Sequence, residues 1–205
     1  MEPLDLLRAA ALVGAAYLIG GIPWGVIVAR LVGGPDPRTI GSGRTGGANV
    51  ARALGPRLAL VSGLLDMLKG TVAILLVRAV GGGVEVEVLA GLAAIVGHSR
   101  SPFLGLSGGR GVAPGFGAAL ALSLPAAAVT MAVFVGVLAA WRYSSLASLV
   151  GSAVGGGVFA VQILATGLPP ALLGYAIGAP ALVWFFHRDN IGRLLRGEER
   201  KFGER

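Results

Sequence analysis

Residues 111–141 read GVAPGFGAALALSLPAAAVTMAVFVGVLAAW, and the fold turns on whether this stretch crosses a membrane once or twice. It is apolar throughout and is interrupted only by Ser123-Leu124-Pro125. One span would strand its two ends on opposite faces. Two short or tilted helices, near 111–122 and 126–141, turn at the Ser-Leu-Pro and bring both ends back to the same face.

Outward from this pair lie apolar runs at 7–29, 58–80, 86–106, 145–163 and 168–187, each near the ~20 residues that cross ~30 Å of hydrocarbon. The expected fold class is therefore an all-α integral membrane protein, a polytopic bundle of about seven transmembrane helices, some short or broken. Composition agrees: 55% of the 205 residues are hydrophobic and 13% charged, with a mean hydropathy of +0.79, outside the range of soluble domains. The start, MEPLDLLRAA, does not read as a removable signal, so the first run is expected to stay in the mature protein. With 35 glycines and 11 prolines, close helix packing and broken helices are expected. No repeat or soluble domain is visible; residues 1–205 read as one transmembrane domain, with 188–205 as its basic cytoplasmic tail.

Basic residues fix the expected orientation. Arg30, Arg38, Arg44, Arg52 and Arg57 fall in 30–57, and the tail holds five arginines and a lysine, whereas the other face has Glu2, Asp5, Glu85 and Glu87. The positive-inside rule puts the N-terminus outside and the C-terminus in the cytoplasm, which an odd number of crossings also requires. The net charge of +7 points to an anionic leaflet or anionic ligands, with no nucleic acid partner expected. Cysteine is absent, which excludes disulfides and zinc-thiolate sites.

Under this topology four polar clusters meet at the cytoplasmic interface. In IGSGRTGGANVARALG, residues 40–55, the run Gly41, Ser42, Gly43, Arg44, Thr45, Gly46, Gly47, Ala48, Asn49 can expose backbone N–H groups as a nest and then feed a helix whose first turn starts near Asn49. A flexible glycine-rich turn with its arginines at lipid headgroups is the plainer reading. In GHSRSPFLGLSGGRG, residues 97–111, Gly108 and Gly109 free the backbone and Arg110 offers a planar fork to phosphate oxygens. In WRYSSLAS, residues 141–148, Arg142 stands near Ser144, Ser145 and Ser148, each able to cap a helix or to hydrogen-bond an anion. His187 to Arg193 opens the tail, which reads as a short basic helix lying on the membrane surface.

His98 and His187 are the two histidines, both at inner ends of spans. Without a carboxylate pair or cysteine they make no ligand set, so neither metal nor cofactor is expected. No nucleophile elbow is present. Asp66 and Lys69 sit at i and i+3 within the second span, where they read first as a self-neutralising pair that orients packing.

Few acids, many cationic donors and two phosphate cradles at the bilayer edge describe a group-transfer site that stabilises negative charge and releases phosphate. One substrate would be amphipathic, the other a small phosphate. Transport of an organic phosphate or other anion is the alternative, although the inverted repeats it favours are not visible; a non-catalytic lipid-binding scaffold is a third reading.

At these residues the chain resembles the membrane acyl-phosphate:glycerol-3-phosphate acyltransferases of the PlsY type. The stretch GGIPWGVIVARLVGGPDPRTIGSGRTGGANVARALG is similar to the family's first motif, DMLKG to its second-span signature, GHSRSPFLGLSGGRGVAP to its second motif, RYSSLAS to its third and HRDNIGRLLRGEERK to its tail. The resemblance implies seven helices in a bacterial inner membrane with the site facing the cytoplasm. It also implies transfer of an acyl group from acyl phosphate to the 1-hydroxyl of glycerol 3-phosphate, giving lysophosphatidic acid and phosphate for phospholipid synthesis. By motif match the 41–49 loop would hold the acyl phosphate; Ser42, Arg52 and Ser145 or Ser148 would address glycerol 3-phosphate. His98 and Arg110 would line the site, with His187 and Asn190 near the reacting centre. No acyl-enzyme is implied. Arg44, Gly47, Ser107, Arg110 and Pro114 stand where the family more often has asparagine, threonine, lysine, lysine and threonine.

Overall fold

The structure, a computed structural model, describes residues 2–203. Met1, Glu204 and Arg205, the ends of the expected domain and tail, lie outside the described residues. Ten α-helices follow one another among the described residues: α1 (Pro3–Gly21), α2 (Trp24–Leu31), α3 (Gly47–Leu54), α4 (Pro56–Ala79), α5 (Val84–Ser99), α6 (Val112–Leu122), α7 (Leu124–Trp141), α8 (Ser144–Thr166), α9 (Leu173–Phe186) and α10 (Arg188–Leu195). Among the described residues there is no strand; a lone antiparallel bridge joins Ser101 and Ser107.

The decisive stretch breaks where its sequence says it should. Ser123 leaves the helical region at φ −155°, ψ 100°, and Pro125 occupies the first turn of α7, where its missing N–H costs nothing. The Ser123 hydroxyl accepts from the Ala126 N–H at 3.2 Å and donates to Gln162 Oε1 on α8 at 2.5 Å. Arg110, just before α6, pairs with Asp189, and Ser145, at the start of α8, donates to Glu199, which the neighbouring Asn190 also binds, so the two ends of the stretch meet at one short segment.

Helices occupy all seven expected positions, but several boundaries differ. The run at 7–29 is not one helix: α1 stops at Gly21 and α2 starts afresh at Trp24, because Pro23 has no N–H and disfavours helix at the residue before it. The run at 86–106 ends at Ser99, and residues 101–107 turn back on the serine bridge. By length and composition α1, α4, α7 and α8 are able to cross a membrane, and the 64° bent pair formed by Pro170–Phe186 and α10 makes a fifth. At 16 and 11 residues, α5 and α6 are shorter than a full span.

Lipid offers helices no hydrophobic reason to associate, so close backbone approach must hold the bundle. A Cβ on Gly20 of α1 would overlap Ala94 of α5, and one on Gly97 would overlap Tyr17. The α4–α6 pair is built likewise: Gly117 lies against the Met67 backbone, and Thr71 Oγ1 donates to the Gly117 carbonyl at 2.8 Å. At the end remote from the polar clusters Arg78 pairs with Glu87 at 2.8 Å, and Arg8 donates to the Val80 carbonyl.

Gly117→Val should therefore force α4 and α6 apart, at the ~1–3 kcal/mol typical of overpacking. A lowered thermal unfolding midpoint in detergent is expected, with Gly14→Ala, whose Cβ meets nothing within 4 Å, as the silent control.

Candidate active site

The loop before α3 is organised from inside by one side chain. Asn49 is buried, with its amide nitrogen 2.6, 2.9 and 2.8 Å from the carbonyls of Pro37, Ile40 and Arg44 and its Oδ1 accepting the Ser42 N–H at 3.2 Å. Asp36 stiffens the loop's entry by accepting the Arg38 N–H at 2.9 Å and pairing with its guanidinium. Gly41 must be glycine on two counts: its φ is +58°, and a Cβ would overlap Asn49 Oδ1.

This wiring narrows the expected nest. The N–H groups of Ser42 and Gly43 are used within the loop, the latter on the Ile40 carbonyl at 3.0 Å. The open end is the first turn of α3, which starts at Gly47, two residues before the expected position. The Asn49 N–H there donates to the Gly46 carbonyl at 2.9 Å, the Gly47 and Ala48 amides have no intrahelical partner, and Gly46, the N-cap, supplies no side chain to them. Gly41, Ser42, Arg44, Gly46, Gly47, Ala48, Asn49 and Arg52 border the cavity, whereas Gly43 and Thr45 do not. Thr45 is buried, its carbonyl against Gly25.

Gly108 and Gly109 are also absent from the cavity wall. They pack against His98: Gly109 donates its N–H to the His98 carbonyl at 3.0 Å, and a Cβ on Gly109 would strike the imidazole at Nε2. The lack of side chains there serves close packing rather than an exposed cradle. Arg110, next in line, does border the cavity and pairs with Asp189 of α10 at 3.1 Å. Ser107 is exposed and donates to the Leu104 carbonyl. Arg142 sits outside as well, exchanging backbone and guanidinium hydrogen bonds with Phe202.

The tail does not lie free on the surface. His187 and Asn190 are buried and border the cavity, because α10 bends in over its mouth. Glu199 is the hub: its carboxylate accepts from Ser145 Oγ at 2.8 Å, Asn190 Nδ2 at 2.6 Å and Arg193 Nε at 2.7 Å. Burial pushes this carboxyl up, but the bonds from Asn190, Ser145 and Arg193 outweigh it and hold it below the usual carboxylate range. Asp189 follows the same pattern: burial raises it and the Arg110 guanidinium more than offsets that. Ser148 borders the cavity but donates its own proton to the Ser144 carbonyl at 2.7 Å. His187 Nδ1 is 2.8 Å from the Val183 carbonyl, which can only accept; that nitrogen carries the proton and Nε2 is left as an acceptor.

Asp66, read from the sequence as half of a packing pair, also borders the cavity. It does pair with Lys69, at 2.7 Å, yet Lys69 reaches His98 Nδ1 at 3.1 Å as well. Asp189 and Glu199 are site residues to which the sequence reading gave no role, and Asp66 is one it assigned to packing; the acids of the tail and DMLKG were the available signals. Among the described residues no group of three or more His, Cys, Asp or Glu is placed to hold a metal ion.

The whole is one cavity of about 630 Å³ with two unlike halves. Arg44, Arg52, Arg110, His98, Ser145 and Asn190 belong to the polar half, and Leu60, Leu64, Met67, Phe116, Phe134 and Leu138 line the other.

Because the folded-state pKa of Glu199 is depressed, the stability it contributes is full above its unfolded pKa and is lost as pH falls through the folded value. Glu199→Gln should cost about 1–3 kcal/mol of stability at neutral pH for the unsatisfied partners, seen as a lowered thermal midpoint, and flatten the acid limb of a midpoint-against-pH curve.

A family model described as glycerol-3-phosphate acyltransferase matches residues 10–197. A glycerol-3-phosphate acyltransferase of Rubrobacter xylanophilus is 44% identical over 95% of both chains, and one of Anaeromyxobacter sp. is 43% identical over 96% of this chain and 98% of its own. Among solved structures, the crystal structure of PlsY, an integral membrane glycerol 3-phosphate acyltransferase in its glycerol 3-phosphate form, superposes with a TM-score of 0.86 at 38% identity, covering 96% of each chain. Its lysophosphatidic acid form gives 0.85 at 36% identity over the same shares.

Proposed function

The chain belongs to the glycerol-3-phosphate acyltransferase family, and from that premise we propose how its cavity performs the transfer. It is an integral membrane acyltransferase that acylates glycerol 3-phosphate in phospholipid synthesis. The proposed donor is an acyl phosphate. One observation carries this: a single cavity joins a cationic half to an apolar half, as a molecule with a phosphate head and a hydrocarbon tail requires.

In this reading the acyl chain occupies the half lined by α4, α6 and α7. Its phosphate meets the first-turn amides of α3 and the guanidiniums of Arg44 and Arg110, where positive charge is fixed before the reaction begins. Arg52, Ser42 and Ser145 hold the phosphate of glycerol 3-phosphate. The 1-hydroxyl oxygen attacks the acyl carbon and the acyl carbon–phosphate oxygen bond breaks. The hydroxyl proton leaves with phosphate, assisted by a phosphate oxygen of substrate or by His187 Nε2, which is free to accept. Asn190 is tied to Glu199 and keeps the α10 wall in place. Ser145 has a carboxylate beside it in Glu199, but Asn190 and Arg193 also occupy that group and its lowered pKa makes it a weak base, which favours direct transfer over an acyl-enzyme.

The proposed setting is a bacterial inner membrane, crossed seven times, with the N-terminus outside and the cavity mouth at the cytoplasm. Support comes from charge: the basic 30–57 segment and the tail meet at the mouth, while Glu87 lies at the other end.

Purified protein given palmitoyl phosphate and glycerol 3-phosphate should release phosphate only when both are present. Uptake of glycerol 3-phosphate into liposomes without acyl transfer would refute the enzyme reading. Acyl-CoA and acyl-carrier-protein donors should be inert. Arg52→Ala should raise KM for glycerol 3-phosphate by about 10–100-fold, the worth of a charge-assisted hydrogen bond, and leave that for acyl phosphate within about threefold. Equal effects on both would remove Arg52 from the acceptor subsite.

A further inference from the structure

The Lys69 ammonium has three protons and three neighbours able to take them. They are the Ile22 carbonyl at 2.8 Å, Asp66 Oδ1 at 2.7 Å and His98 Nδ1 at 3.1 Å. An ammonium donates and never accepts, so His98 Nδ1 must offer it a lone pair. A proton on Nδ1 would point at the cation. The competing acceptor, Asp66 Oδ1, is farther from Nδ1, at 3.5 Å, beyond a good hydrogen bond, and is ion-paired with Lys69 at 2.7 Å. The remaining proton of a neutral imidazole then sits on Nε2. That atom has no protein partner among the described residues, although His98 is about 94% buried and borders the cavity. It lies on the Gly109 side, next to Arg110, where any side chain at position 109 would collide with it.

We propose that Lys69 is a positioning residue that locks His98 as the neutral Nε2–H tautomer, so that His98 meets the reacting oxygens as a hydrogen-bond donor and not as a base. The choice is functional, because the two tautomers do opposite work. A donor beside Arg110 stabilises negative charge that develops on the acyl carbonyl oxygen or on the departing phosphate. An acceptor there would face the same charge with a lone pair. His187, held in the other tautomer by the Val183 carbonyl, presents the acceptor on the facing wall. The cavity thus has one donor imidazole and one acceptor imidazole, each fixed from behind. The identity of the oxygens rests on the acyl-transfer reading; the tautomer does not.

Selectively ¹⁵N-histidine-labelled protein in detergent micelles, without substrate, tests the lock directly, since the chain has only two histidines. Near neutral pH one ring should show a bare Nδ1 with a protonated Nε2, and the other the reverse; loss of the second pattern in His187→Gln assigns them. A protonated Nδ1 on His98, or a mixture of forms in wild type, overturns the proposal whatever any variant does. In the paired variant Asp66→Asn with Lys69→Met, which leaves no unpaired buried charge, the His98 pattern should shift toward Nδ1–H. A pattern unchanged from wild type would show that Lys69 does not set it. Kinetics separate donor from base: His98→Gln can donate but cannot take a proton, and should keep kcat within about tenfold, while His98→Ala should lose about 10²–10³-fold. A Gln variant as slow as the Ala variant would overturn the donor role. Failure of wild type to transfer acyl groups would instead strike the proposed function and leave the tautomer standing.

Discussion

The buried ammonium of Lys69 is the constraint on which the polar half of the bundle depends. An ion taken out of water costs several kcal/mol even after relaxation, and inside a bilayer no water repays it. The repayment here comes from three acceptors on three separate elements. One exists only because α1 is broken: the Ile22 carbonyl, at the end of that helix, has no helical partner and accepts both the Trp24 N–H at 3.1 Å and the Lys69 ammonium at 2.8 Å. The next carbonyl back, Gly21, is taken by Ser101 Oγ at 2.6 Å. A proline break in lipid would otherwise leave polar groups without partners. Break and cation satisfy one another, and the same ion fixes the ring that borders the cavity.

A second constraint closes the mouth. Glu199 gathers Ser145 of α8 and Asn190 and Arg193 of α10, and Asp189 carries the connection on to Arg110 at 3.1 Å. Charges of both signs alternate along this path, so the tail adds a wall without cancelling the cationic character of the site. Arg44 and Arg52 border the same space from the loop and α3. The cavity therefore offers anions fixed positive charge on one side and hydrocarbon on the other, a division that follows from where each helix ends.

Much of this was legible in the sequence because its signals are local. Ser123 and Pro125 mark the turn between α6 and α7 by themselves, since serine caps and proline starts a helix without help from afar. The glycine-rich run, the arginines and both histidines could likewise be placed at one interface by hydropathy and charge. What stayed hidden needs distant partners. GGIPWG reads as part of one apolar run because its broken carbonyls are satisfied by residues 47 and 80 positions away. Glu199 reads as one acid in a basic tail because one of its partners, Ser145, is 54 positions upstream. The nest was overcounted for the same reason: backbone freedom is visible in GSGRTGG, but Asn49 consuming Ser42's amide is not.

The three departures from the family pattern that involve a charged side chain, Ser107, Arg110 and Arg44, fall into two groups once placed. Ser107 lies outside the cavity in the exposed turn bridged to Ser101, so the cation missing there is missing from the rim. Arg110 and Arg44 border the cavity itself. A guanidinium binds through a planar fork and stays charged when half buried, whereas an ammonium is a movable point charge. Arg110 spends part of its fork on Asp189, which fixes the plane of a guanidinium that borders the cavity. Placing Arg44 across from it returns a second cation to the interior from a different wall. Charge at the site is thereby kept while its geometry becomes more directional, so this chain should tolerate less variation in how a phosphate sits than a lysine-lined cavity would.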